Sequence, residues 1–225
     1  MNPKRIILIR HGESAANVDR YLFGQIPDYT IELTEKGRMQ ALEAGRKLKA
    51  LVGEESLYFY VSPFWRTRST FECIVRALPR SQFVYSEEPR LREQEWGYLR
   101  SNEEFDKICR ERGEYGTFYY RIPGGESGTD VYDRINDLLG SMYRDFRSDD
   151  YPENCVLVTH SLTIRLFLMR YYHLTVEEFE QMLSPENCEL VVMTLQPDGS
   201  YKLERELRKS TTPLRYSRPI TLPEE

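Results

Sequence analysis

Short unbroken apolar runs alternate along this chain with longer amphipathic stretches. The run RIILI, from Arg5 to Ile9, is rich in isoleucine and predicts a central strand. A polar loop with Gly24, Pro27 and Asp28 follows. LTEKGRMQALEAGRKLKALV then reads as a helix, with Thr34 as N-cap and Met39, Leu42 and Leu48 near helical spacing. SLYFYVSP predicts a second strand stopped by Pro63, WRTRSTFECIVRAL a second helix, and SQFVYSE a third strand. Residues 90–126 are less regular and rich in charge, glycine and tyrosine, which predicts a lid or insertion over the sheet ends. SGTDVYDRINDLLGSMYRDF reads as an amphipathic helix, NCVLVTH as a buried strand, and SLTIRLFLMRYY as the helix after it. TVEEFEQML predicts a short helix capped by Thr175, and ELVVMTLQPDGSYKLEREL a strand pair turning at Asp198-Gly199. From Ser210 onward the chain carries Pro213, Pro219 and Pro223 without periodicity and reads as an extension.

Strands alternating with helices predict an α/β three-layer sandwich with a mostly parallel central sheet. One domain is expected over residues 1–209, with the lid at about 90–126 and a C-terminal extension at 210–225. No internal repeat and no linker interrupts it. In such sheets ligands bind beyond the carboxyl ends of the strands.

Composition narrows the function classes. Of 225 residues 40% are apolar, enough for a packed core, and the formal charge of -5 has both signs spread along the chain. A nucleic-acid partner is not expected from that balance, though a local basic pocket remains compatible with it. Cys73, Cys109, Cys155 and Cys188 are widely spaced and form no C-x-x-C pair, so they read as reduced thiols of a cytoplasmic protein, with the nucleus as the other compartment. The apolar run in MNPKRIILIRHGES is too short for a signal peptide, and no stretch is long and apolar enough to span, so no membrane partner is expected. The pattern does not specify an oligomeric state.

Two of the three histidines fall at strand ends. His11 follows the first strand and His160 ends VTH, so both are expected at one edge of the sheet. A lone histidine is usually a satisfied structural residue; two at one edge point to chemistry. Arg10 adjoins His11, and Arg66 follows Ser62-Pro63 near a helix start, where a helix N-terminus and a guanidinium together suit a phosphate. Arg68, one turn-neighbour on, reads as a solvated charge.

LIRHGES with Asn17, SPFWRTRST, LREQEWG, PGGES and VTHSLTIR together resemble the histidine phosphatase superfamily, the phosphoglycerate-mutase-like proteins, over roughly residues 5–195. Within it, REQEWG and YGTFYYRIPGGESGTDVYDRI look closest to uncharacterised plant and fungal phosphoglycerate-mutase-like proteins. The resemblance implies that His11 is the nucleophile. Imidazole is largely unprotonated at neutral pH, and Arg10 and Arg66 would disfavour its charged form further. Gly12 would let the backbone approach closely and take an unusual φ/ψ. The resemblance also implies that Arg10, Arg66 and His160 form the phosphate pocket, with His160 protonated once phosphate is bound and Asn17 donating an amide N–H. Ser14, Gly24 and Ser161 are further phosphate- or substrate-binding candidates, Ser14 equally a turn cap. Glu93 of LREQEWG is implied as the proton donor and acceptor, with Glu95 as local competitor and Glu13 more suited to ordering its loop. Nearby arginines are expected to lower the Glu93 pKa and a bound phosphate to raise it again.

The expected activity is a metal-independent phosphatase that hydrolyses a phosphomonoester through a phosphohistidine on His11, without a cofactor. The substrate would be a phosphorylated small molecule or a phosphoprotein. Phosphoglycerate mutase is the alternative, disfavoured because Trp96 stands where mutases carry tyrosine and because 99–125 holds no adjacent arginine pair. A phosphate-binding regulatory protein without turnover is the rival from another class. A metal hydrolase is disfavoured by Arg10 and Arg66, and a serine hydrolase at Ser161 lacks the G-x-S-x-G turn.

Overall fold

In the computed structural model, which describes residues 2–217, the isoleucine run becomes β1 (Arg5–Arg10), and Ile6 to Ile9 have no exposure to solvent. Pro219 and Pro223 of the expected extension lie outside the described residues. β2 (Leu57–Val61), β3 (Phe83–Glu87) and β4 (Asn154–Thr159) run parallel with β1. The predicted hairpin is β5 (Leu190–Leu195) with β6 (Tyr201–Leu203), and it joins the same sheet antiparallel to β1. The order is β3-β2-β4-β1-β5-β6, with Gly199 at φ 85° in the hairpin turn.

Alternation along the buried strands sends side chains into two cores. Ile7, Ile9, Val156 and Val158 pack with Ala41, Leu48 and Val52 of α2 (Glu35–Val52) and Phe71 and Ile74 of α3 (Trp65–Ile74). Ile6, Leu8, Cys155 and Leu157 pack on the other face with α5 (Gly128–Asp145), α6 (Ser161–Tyr172) and α7 (Val176–Gln181). The three-layer α/β architecture predicted from the sequence is therefore the one observed. Each fully buried aliphatic side chain contributes roughly 1.5–3 kcal/mol relative to exposure.

Two local expectations change. Met39 on α2 is 54% exposed, and the buried face runs through Gly37, Ala41, Ala44, Gly45, Leu48 and Val52. Small residues take these places because α2 lies very close to its neighbours: a Cβ on Gly45 would stand 2.4 Å from the Ile74 carbonyl oxygen. The lid is also more regular than its composition suggests. It contains α4 (Asn102–Tyr115), capped by Ser101 and stopped at Gly116 with φ 108°. α4 buries only Phe105 and Ile108, against Leu99 and Ile122, with Phe23, Trp96 and Tyr120 at the edge of this separate small core. The loop after β1 holds a one-turn helix, α1 (Ala15–Val18), and 3-10 turns at Arg20–Gly24 and Asp28–Thr30.

Candidate active site

The parallel ladder sets the height of each strand end. Arg10 pairs with Thr159, the His11 N–H donates to the Thr159 carbonyl at 2.9 Å, and the Ser62 N–H donates to the Val158 carbonyl at 3.0 Å. His11, Ser62 and His160 thus leave three neighbouring strands at one edge, and the two imidazole rings meet edge to face with centroids 5.3 Å apart.

His11 is 4% exposed, and its Nδ1 lies 2.7 Å from the Gly12 carbonyl oxygen. A carbonyl only accepts, so Nδ1 carries the proton and Nε2 keeps its lone pair. Burial pushes the ring pKa well below its ordinary value, and the Arg66 and Arg10 charges push it the same way. Gly12 allows the expected close backbone approach but without a positive φ. A Cβ there would stand 2.4 Å from the Gly37 carbonyl oxygen of α2. Gly37 faces the same constraint, with the Glu13 carbonyl oxygen 2.0 Å from a built Cβ, so the His11 loop and α2 touch backbone to backbone.

His160 is fully buried, its Nε2 2.8 Å from Ser62 Oγ and its Nδ1 without a hydrogen-bond partner among the described residues. Burial, then Arg66, hold its pKa well below the ordinary value. Arg66, 3% exposed, donates from Nη1 to both the carbonyl and the Oδ1 of Asp28 at 2.7 Å, and its guanidinium lies 4.9 Å from the centre of the Phe64 ring. Burial raises the Asp28 pKa against the opposing pull of Arg66. Arg10 donates from Nη1 to the Pro185 carbonyl at 2.8 Å, and its buried Nε has no partner among the described residues. Arg68 instead pairs with Glu87 on the surface.

Asn17 accepts on Oδ1 from the Ser14 N–H at 3.0 Å and from Asn187 Nδ2 at 3.3 Å, which leaves its own amide N–H groups for a ligand. Asn187 Nδ2 also donates to the His11 carbonyl at 2.9 Å. Ser14 is buried at the start of α1, and Ser161 donates its hydroxyl to Ser184 at 2.6 Å. Gly24 stands apart, exposed at the end of its 3-10 turn with Leu99 of the lid as its neighbour. Glu13 is held by Thr34 at 2.9 Å and Lys36 at 2.6 Å, and Glu95 is exposed.

Glu93 lies on an irregular segment whose carbonyls are anchored in succession. Arg134 donates to those of Arg90 and Glu93, Thr159 to Leu91 at 2.7 Å, and Thr163 to Arg92 at 3.1 Å. The sign of its pKa shift differs from the sequence expectation. Burial raises it and outweighs the Gln94 N–H, Arg66 and Arg134, which all pull the other way. The next residues are locked by Glu126 of PGGES. Its carboxylate accepts from Arg92 at 2.7 Å, from Arg134 at 3.1 Å and from the Glu95 N–H at 3.0 Å. Gly97 (φ 69°) and Gly125 let these two chain segments press together, since a Cβ on Gly125 would stand 2.3 Å from the Glu95 carbonyl oxygen.

Arg134, Glu126 and Asn187 were absent from the residues singled out by the sequence, while Asp28 was read only as loop and Ser62 only as the strand end before Arg66. Ser62 carried a signal, because it ends a strand adjacent to the one that ends at His160. Glu126 lay inside a quoted motif. Asp28, Arg134 and Asn187 carried none.

This geometry defines a class: a three-layer α/β protein with two histidines and two arginines gathered at one edge of the sheet. The chain belongs to the histidine phosphatase superfamily (branch 1), which matches residues 6–206. It is 43% identical over 217 residues to phosphoglycerate mutase-like protein AT74H of Arabidopsis thaliana, covering 89% of this chain and 77% of that one. It is 28% identical over 303 residues to broad-range acid phosphatase DET1 of Saccharomyces cerevisiae, covering 93% and 91%. Mycobacterial glucosyl-3-phosphoglycerate phosphatase in complex with VO3 shares the fold, with TM-score 0.71, 23% identity, and coverage of 92% of this chain and all of that one.

Proposed function

We propose that this protein is a metal-independent phosphomonoesterase that passes the phosphoryl group through His11 to water. The observation that carries the reading is the His11 ring itself. It is buried, neutral, and held through Nδ1 so that Nε2 keeps a lone pair beside two arginines and a second histidine. Arg10 and Arg66 would neutralise the dianion and its transition state, Asn17 would donate its amide, and the same charges would repel a metal ion.

In the first step the P–O bond to the alcohol breaks as Nε2 bonds to phosphorus, and the Glu93 carboxylic acid gives its proton to the departing oxygen. In the second, the Glu93 carboxylate takes a proton from water, the water oxygen bonds to phosphorus, and the P–N bond breaks to release phosphate. A Glu93 pKa raised by burial suits the acid role, because burial favours the protonated carboxyl over the carboxylate. A yeast relative named as an acid phosphatase supports this direction.

The test is phosphate release from p-nitrophenyl phosphate, phosphoglycerates, sugar phosphates, nucleotides and phosphopeptides, with EDTA present and His11→Ala in parallel. Release that survives EDTA and disappears in the variant, with an acid-labile phosphoenzyme trapped on His11, is the expected result. Undiminished release by His11→Ala removes the nucleophile assignment. Phosphoglycerate isomerisation without release assigns a mutase instead.

A further inference from the structure

His160 has one ring nitrogen with a fixed protein partner and one with none among the described residues. Ser62 Oγ stands 2.8 Å from Nε2, and Nδ1 is buried without a partner. Ser62 is itself fully buried, and its hydroxyl contacts no other acceptor among the described residues. Its backbone is fixed on both sides: its N–H donates to Val158 at 3.0 Å, and its carbonyl accepts from Thr67 Oγ1 at 2.9 Å. Phe64 stands edge-on to the imidazole at 5.1 Å and closes another side.

Three protonation patterns are available to this pair. With the proton on Nε2, the ring donates to Ser62, the buried serine hydrogen has no acceptor among the described residues, and the Nδ1 lone pair opposes any anion. With both nitrogens protonated, the serine hydrogen is stranded again, and a third cation joins Arg10 and Arg66, with Arg134 behind. With the proton on Nδ1, Ser62 donates to Nε2 and every group is satisfied once a phosphoryl oxygen meets the Nδ1 hydrogen. A stranded buried donor costs about 1–3 kcal/mol, enough to select one pattern.

We infer that Ser62 is a positioning residue that holds His160 as the Nδ1–H tautomer, so that a neutral imidazole donates the hydrogen bond to the phosphoryl group. This rests on the phosphate-pocket reading above and changes its charge count. Arg10 and Arg66, the latter already paired with Asp28, face a dianion, and His160 contributes a directed N–H without a third positive charge. Burial and the cations facing the ring from the β1 end, α3 and α5 favour the same uncharged state. A neutral His160 departs from the sequence-based expectation of an imidazolium in the bound state, and the experiment below decides between them.

The test uses the full chain labelled with ¹⁵N in its three histidines. Long-range ¹H–¹⁵N spectra distinguish the two tautomers and the cation, and His160→Gln identifies the signal. The wild type with saturating inorganic phosphate at pH 7 is expected to show His160 neutral with Nδ1 protonated. Ser62→Ala is expected to lose that tautomer and to lower kcat for p-nitrophenyl phosphate about 10–100-fold with KM little changed. Ser62→Thr, which keeps the hydroxyl, restores both. An imidazolium or an Nε2–H ring in the phosphate-bound wild type overturns the inference, even in a protein that hydrolyses phosphomonoesters. The Nδ1–H ring in a wild type that binds phosphate but releases none from any ester upholds it and overturns the proposed reaction instead.

Discussion

His11 and His160 leave adjacent parallel strands at positions set by the backbone ladder, whereas Glu93 lies on a segment with neither strand nor helix. Its carbonyl and those of the three residues before it are each held by a side chain from elsewhere. The histidine floor inherits its geometry from hydrogen bonds the sheet must make in any case. The carboxylate roof depends on particular side chains: Thr159, Thr163, Arg134 and Glu126. Removing one of these groups should misplace the acid and leave the nucleophile where it is.

The largest effect is expected at the acid itself. Glu93→Gln keeps the shape and removes the proton, so kcat should fall by about 10²–10⁴. Because burial raises its pKa, activity in the wild type should decline as pH rises through that value, and the variant's profile should lose this alkaline limb. A kcat/KM profile against pH that keeps the limb would move the role to another group. Next comes the lock. Glu126→Ala leaves the part-buried Arg134 without its carboxylate and the Glu95 N–H without its acceptor, a loss of about 1–3 kcal/mol. Urea unfolding should show the loss, and kcat should fall while phosphoenzyme formation from an activated donor persists. Equal loss of both reactions would erase the contrast between floor and roof.

The floor has its own weak point. Gly37→Ala drives a Cβ to within 2.0 Å of the Glu13 carbonyl oxygen, which no side-chain rotation relieves. About 1–3 kcal/mol of destabilisation is expected, measurable as a lowered Tm, with slower phosphoryl transfer because the His11 loop must shift. The smallest effect concerns pH and stability. Both histidines have native pKa values below the ordinary 6.5, so the unfolded chain binds more protons than the native one just below that pH. Stability should therefore fall as pH drops through 6.5, by up to about 1.4 kcal/mol per pH unit for each histidine. Glu93, with its raised pKa, works in the opposite direction, since its protonated form favours the native state. Denaturant midpoints between pH 7 and 5 should slope less in His160→Gln, and an unchanged slope would mean that this ring is charged in the native protein.

The same contrast governs what could be read from the sequence. Buried strands announce themselves as apolar runs, and a residue at the end of such a run is placed by topology, so His11, His160 and Arg66 were visible. α4 was not, because its two buried residues, Phe105 and Ile108, sit among charges that mask the helical period. Met39 misled because the close approach of α2 favours glycine and alanine over a large apolar residue. Asp28 meets Arg66, and Arg134 the Arg90 and Glu93 carbonyls, across long stretches of chain, for which local sequence has no signal. The expected sign for Glu93 was wrong because neighbouring arginines can be guessed from a motif, whereas depth of burial cannot.

Arg10 reaches the Pro185 carbonyl, the Cys188 N–H reaches back to the Arg10 carbonyl, and Asn187 reaches the His11 carbonyl. These contacts join the first strand to residues about 175 positions later in the chain. During synthesis at roughly 5–20 residues per second, His11 waits many seconds for the loop that seats it. Closing so long a loop belongs to the slow end of folding, because its entropy cost precedes any reward from contact. A nascent chain cut short before Asn187 would therefore carry the whole RHGES motif and still lack the contacts that hold its backbone in place.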